Sequence, residues 1–266
     1  MPTSKPKDNS TFAAKVRLRL AVLAAAAPKP IVLETHGGWG RIFDRTWHKA
    51  GGGLVMEKLE DKAEALAFQR PTWRVYQCDS LKALQAGAAR DMRFDIVDLD
   101  PYGSPMEYLD ALASTGRQWP DRWHLVVNDG LRQMVGRGGS WKTRALQRMV
   151  QRWGNNLYPV YLEVARELVC EFGDRIGYRV AGWHGYYTGA GERMTHYWAA
   201  MERVKVRPES NVGPGRRSRT MDRGGNGLER LVGPEKRPLV TSVVGRVAAV
   251  ASGSAETHPG AGQGRP

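Results

Sequence analysis

The run FDIVDLDPYGSP, Phe94 to Pro105, drives an apolar strand into two carboxylates and stops at once on proline, an aromatic, glycine and serine. Alternation places Ile96, Asp98 and Asp100 on one side and Val97 and Leu99 on the other, so Asp98 sits within an otherwise apolar strand. A carboxylate buried there is costly unless it is hydrogen-bonded. Pro101 has no backbone donor and Gly103 permits dihedrals closed to other residues, which ends the strand and presents Asp100 and Tyr102 at its tip. Ser104, Pro105 and Glu107 then have the spacing of a capping box, opening a helix over MEYLDALAST with proline at its first position.

Similar short apolar runs lie on both sides: IVLET from Ile31, GLVME from Gly53, WRVYQCD from Trp73 and WHLVVND from Trp123. Helical-looking segments separate them, which is the pattern of a parallel sheet with crossover helices. YRVAGWHGYY and THYWAAMERV follow, joined only by TGAGERM, and so short a connection requires an antiparallel pair. Before the first strand, TFAAKVRLRLAVLAAAA reads as a helix opening near Ser10 and ending ahead of Pro28 and Pro30. The expectation is an α/β fold with a mostly parallel sheet and an antiparallel terminal hairpin.

Ligands of such sheets bind at the carboxyl ends of the strands, where strand order reverses. Each of the first five runs ends acidic there: Glu34, Glu57, Asp79, Asp98 with Asp100, and Asp129. The loop ETHGGWG carries Gly37, Gly38 and Gly40 ahead of a helix expected from Arg41, so that backbone can approach a ligand closely. A dinucleotide fingerprint would place glycine where Phe43 stands. Glu57, about 20 residues beyond the glycines, is placed to accept from both hydroxyls of a ribose. Asp79 either receives an adenine amine or caps the helix SLKALQAGAAR. Together these acids favour an adenosine-containing ligand.

With 266 residues the chain suits one α/β domain plus appendages. The expected division is a flexible N-terminus over 1–10, a domain over 11–205 and a basic, disordered tail over 206–266 rich in Gly, Pro, Ser and Arg. Cys78 and Cys170 form no metal or disulfide pattern, the histidines show no ligand spacing, and Lys15, Arg17 and Arg19 interrupt the first apolar run. No metal, no membrane and a cytoplasmic location are therefore expected; the oligomeric state stays open. A net charge of +13 points to a polyanionic partner. From Ser140, helical spacing turns Leu146, Met149, Val150 and Trp153 toward a core and Arg144, Arg148 and Arg152 along another face, where they could track phosphates. GGSWKT is not a phosphate loop, since Trp141 precedes its lysine.

This order of features resembles the class I S-adenosylmethionine-dependent methyltransferases, with a Rossmann-like sheet, over roughly Thr11 to Val204. Asp100-Pro101-Tyr102 is similar to the (D/N/S)PP(Y/F) motif of enzymes that methylate planar amino groups. DLDPYGSP resembles, more narrowly, the DLDPFGSP-type motif of the tRNA guanine-N2 dimethyltransferases. The resemblance implies a cofactor, S-adenosylmethionine, with Glu34, His36, Gly38 and Gly40 near its methionine and ribose parts, Glu57 at the ribose and Asp79 at the adenine. It implies that Asp100, the Pro101 carbonyl and Tyr102 take the target base, with Asp98 orienting Asp100, receiving a proton or serving the structure. His36 departs from the glycine usual in that loop, and DPYG has one proline where DNA adenine enzymes have two. The expected partner is nucleic acid, RNA and tRNA ahead of DNA. The alternatives are DNA adenine-N6 methylation, methylation of a protein amide or amine, and a nucleic-acid-binding protein with an inactive fold.

Overall fold

The computed structural model describes residues 11–67, 71–101, 103–135 and 144–205. The chain divides into two units, Met1–Ser210 and Asn211–Pro266, and the described residues all belong to the first. The N-terminal segment 1–10, the tail expected over 206–266, and Tyr102 lie outside them.

A seven-stranded sheet forms the centre, in the order β3-β2-β1-β4-β5-β7-β6. The strands are β1 (Ile31–Glu34), β2 (Gly52–Glu57), β3 (Trp73–Gln77), β4 (Ile96–Leu99), β5 (Arg122–Asp129), β6 (Tyr178–Thr188) and β7 (Met194–Arg203). The first five are mutually parallel, whereas β7 runs antiparallel to both β5 and β6. This is the mostly parallel α/β sheet with an antiparallel terminal pair expected from the sequence, and its strand order reverses between β1 and β4. Every residue of β2 and of β4 is buried, as befits strands covered on both faces.

On one face lie α1 (Phe12–Ala25) and α2 (Glu60–Ala67); Leu18, Val22 and Leu66 pack there with Val32, Val55, Ile96 and Val126. The other face is covered by α3 (Ser80–Gln85), α4 (Met106–Ser114), α6 (Arg144–Trp153) and α7 (Tyr161–Ile176), whose Leu84, Leu109, Leu146 and Phe172 join Leu33, Val97, Leu125 and Val127. The short α5 (Leu131–Val135) follows β5 directly.

Three local expectations change. No α-helix begins at Arg41. Two single 3₁₀ turns, Phe43–Arg45 and Trp47–Lys49, fill the crossover, and Thr46 between them leaves helical geometry at φ −134° and ψ −79°. That break lets the Trp47 side chain turn into the interior, where it is wholly buried. α4 starts one residue later than expected, at Met106 with Pro105 as its N-cap, and the Ser104 hydroxyl accepts from the Met106 amide. At α1 the N-cap is Thr11, without a side-chain cap bond. Gly103 adopts φ +124°, the conformation that β4's abrupt end required of it.

Candidate active site

The carboxyl edge of the sheet gathers the polar side chains that the strand ends carry. At its centre is Asp98, with no exposed surface. Arg19 of α1 donates to it twice, Nε to Oδ2 and Nη2 to Oδ1, both at 2.7 Å, and Trp47 Nε1 adds a third bond to Oδ2 at 2.8 Å. Burial raises the Asp98 carboxyl above its ordinary range, while the bidentate guanidinium opposes that shift and makes Asp98 its charged partner. Asp98 is thus closed in on both oxygens. Through these bonds it ties α1 and the 3₁₀ crossover to β4.

Asp100, two residues on, is different. Lys15, one turn before Arg19 on α1, reaches both of its oxygens at 2.8 and 2.7 Å, and the Asp100 side chain keeps 22% of its surface exposed. Arg19 Nη2 lies 3.9 Å away. Burial pushes this carboxyl up, but Lys15 and Arg19 outweigh it and hold Asp100 below the usual carboxylate range. Pro101 is buried behind it. Tyr102, the aromatic member of the expected trio, is outside the described residues.

Beside β4, Glu34 is 2% exposed, and its Oε2 has no hydrogen-bond partner. Burial, and next the Asp98 carboxylate, raise its carboxyl well above the ordinary value. His36 follows on the same loop. Thr35 Oγ1 donates to the Asp98 carbonyl at 3.1 Å, so its contact with His36 Nδ1 at 2.9 Å requires Nδ1 to carry the proton. His36 Nε2 then accepts from the Tyr108 hydroxyl at 3.1 Å, and Tyr108 in turn accepts from Ser80 at 3.3 Å. Burial lowers the imidazole's pKa despite the nearby Asp100, Glu57, Asp98 and Asp79 carboxylates, and His36 is neutral.

Glu57 accepts from the Gly38 amide at 2.7 Å and from the Leu59 amide at 3.0 Å, one bond per oxygen, which leaves each a free lone-pair direction. Gly38 and Gly40 have positive φ, and a Cβ at Gly37 would stand 2.5 Å from Leu66 Cδ1 and Val55 Cγ1. Asp79 caps α3 by accepting from the Lys82 amide at 3.2 Å and pairs with Lys58 at 3.3 Å; the Lys82 amide foremost lowers its pKa. A buried acid with an orphaned oxygen, a loop kept slim by glycine and a second acid with free lone pairs form a polar set that fits the hydroxyls and amine of an adenosine cofactor.

The arginine face of α6 meets acids from elsewhere. Arg148 pairs with Glu171 at 2.6 Å and Arg152 with Glu167 at 3.2 Å, both acids on α7; Arg144 is exposed. Sequence reading missed the roles of Lys15, Arg19 and Trp47, although two of the three cations of α1 stand at i, i+4 on one face, which was a usable signal. Among the described residues no group of three His, Cys, Asp or Glu could hold a metal, and no helix is long and apolar enough to cross a membrane.

No protein-family model matches the chain, and no curated protein sequence does. Among solved structures, a Streptococcus thermophilus protein described as a candidate hemolysin aligns at 17% identity, covering 76% of this chain and 69% of its own, with a TM-score of 0.49. M. jannaschii TYW2 in complex with AdoMet aligns at 12% identity over 77% and 79%, TM-score 0.47. The plantazolicin methyltransferase BpumL in complex with SAH aligns at 9% over 75% and 86%, TM-score 0.47. Likenesses of this size establish no family, and the functional reading rests on the sheet and its edge.

Proposed function

We propose that this chain is an S-adenosylmethionine-dependent methyltransferase acting on an exocyclic amine of a nucleobase, guanine N2 in RNA and tRNA foremost. The observation that carries the proposal is the placement of Asp100. It is a charged, partly open carboxylate at the tip of β4, just beyond the point where strand order reverses, with Asp98 locked behind it.

Glu34, His36, Gly38, Gly40, Glu57 and Asp79 would hold the cofactor on the β1–β2 side of that point. Bound there, S-adenosylmethionine supplies an activated methyl group. The protein's task is on the amine side, because the lone pair of an exocyclic amine is delocalised into its ring. Asp100 and the Pro101 carbonyl accept the amine's hydrogens, which favours a tetrahedral nitrogen and fixes its direction of attack. As positive charge grows on that nitrogen, the Asp100 carboxylate stabilises it without first having to reorient. Lys15 and Arg19 hold Asp100 at low pKa, so it acts as a fixed anion and the released proton passes to solvent. Tyr102, by its place in the motif, stacks on a base withdrawn from its helix.

The test is transfer of labelled methyl from S-adenosylmethionine to separate pools of tRNA, ribosomal RNA, single- and double-stranded DNA, and protein, followed by nucleoside digestion. Label in N2-methylguanosine from tRNA supports the full proposal. Label in N6-methyladenine from DNA keeps the amine chemistry and replaces the substrate; label in protein alone overturns the nucleobase assignment.

A further inference from the structure

Asn128 and His196 face each other across the β5–β7 pair and are 1% and 0% exposed. None of their four side-chain polar atoms has a hydrogen-bond partner. Each such orphan costs about 1–3 kcal/mol, so two adjacent residues with every polar atom unpaired call for a ligand or a function. Asn128 lies two residues beyond Val126, which pairs with Asp98 in the sheet, and it therefore shares the face on which Asp98 and Asp100 stand. The charged groups around His196 are Lys15, Arg19 and Asp100. Tyr186 of β6 lies edge-on to its ring at 5.6 Å.

We propose that Asn128 and His196 form the hydrogen-bonding floor of the acceptor pocket and read the edge of a neutral nucleobase whose amine is presented to Asp100. This rests on the methyltransferase reading above and goes beyond it by assigning base recognition to two residues outside the DPY motif. Burial, then the neighbouring cations Lys15 and Arg19, push the His196 imidazole down to about 3, so it offers one donor and one acceptor. The Asn128 carboxamide offers both as well. Such a floor complements a ring edge with donor and acceptor side by side, as bidentate amides do with bases. A protein ammonium group is a poor match, because Lys15 and Arg19 repel it and it has donors alone.

The first turns of α1 are tied to this end of the sheet. The Tyr186 hydroxyl donates to the Ala14 carbonyl at 2.8 Å, and Lys15 spans to Asp100. Arg19, one turn later, is anchored to Asp98. A shift of the first turn of α1 that breaks the Ala14 contact opens the floor, while Lys15 and Arg19 keep Asp100 ionised.

The experiment compares the full chain with His196→Phe, Asn128→Leu and the conservative His196→Gln, each saturated with S-adenosylhomocysteine. Binding is measured in that state on short single-stranded RNA and DNA oligonucleotides holding one guanine or one adenine, and methylation in separate reactions with S-adenosylmethionine in its place. Expected are unchanged S-adenosylhomocysteine affinity, unchanged or higher thermal stability, a ~10- to 100-fold loss of oligonucleotide affinity in the two apolar variants, and partial recovery in His196→Gln. Apolar variants that bind and methylate like the wild type show that the pair holds buried water only, and overturn the inference while the methyltransferase reading stands. If the wild type methylates neither an oligonucleotide nor whole tRNA, that reading falls, and oligonucleotide affinity across the variants decides the pocket separately. Should the variants fail to fold, the His196 ring ¹⁵N resonances of the wild type must move when oligonucleotide is added; unmoved resonances overturn the inference.

Discussion

Arg19 joins α1 to the distant end of β4: its guanidinium binds Asp98 bidentately, lies close to Asp100 and donates to the carbonyl of Lys15. Removing it leaves Asp98 buried and uncompensated, so Arg19→Leu should lower stability by about 3–5 kcal/mol, and Arg19→Leu with Asp98→Leu should recover most of the loss. Urea unfolding of the two variants checks this. Asp100→Ala should reduce methyl transfer at least ~100-fold with cofactor affinity nearly unchanged, measured by single-turnover rates and calorimetry. Equal loss of both would make Asp100 a structural or cofactor residue. Asp129, on the other face, is wholly buried, and burial raises its carboxyl from 3.8 to about 7 against bonds from Leu131, Tyr161 and Tyr197. The folded protein therefore keeps a proton that the unfolded chain releases above pH 3.8. Its contribution to stability falls between about pH 4 and pH 7, by up to about 4 kcal/mol, and is flat above. Asp129→Asn should abolish that slope in unfolding curves taken across the range. The acids at the strand ends were legible because each closes an apolar run. Their partners were not, since Lys15 and Arg19 lie some 80 residues away and only the packing of α1 on β4 brings them near.

At the scale of elements, the seven strands and the antiparallel pair could be read from apolar periodicity and connection length, which are local properties. The crossover after β1 could not. Glycines before Arg41 resembled a helix start, but Trp47 must reach Asp98, and a regular helix would have carried its side chain elsewhere. The α6–α7 pairs illustrate a related blind spot: α6 has few acids of its own, and Glu167 and Glu171 come from its neighbour. These pairs are solvent-exposed, so Arg148→Ala and Arg152→Ala should each cost under about 1 kcal/mol. Two free phosphate-binding arginines would contribute about 2 to the salt dependence of nucleic-acid binding. The paired arginines should contribute less, as a salt titration of the double variant would show.

The whole molecule carries +13 charges, and residues 206–266 hold a Gly-, Pro- and Arg-rich share of them. Removing that segment should leave the first unit folded and weaken nucleic-acid binding mainly at low salt, as thermal melts and affinity at two ionic strengths would reveal. The sheet order has another consequence at this scale. Among the described residues β7 is the last strand in sequence yet sits in the interior, and β6 has no other strand beside it. A nonsense codon just before Met194 would therefore delete one strand and strand a second. It would also bare the full length of β5 as an unprotected edge, a template for aggregation rather than a slightly smaller enzyme.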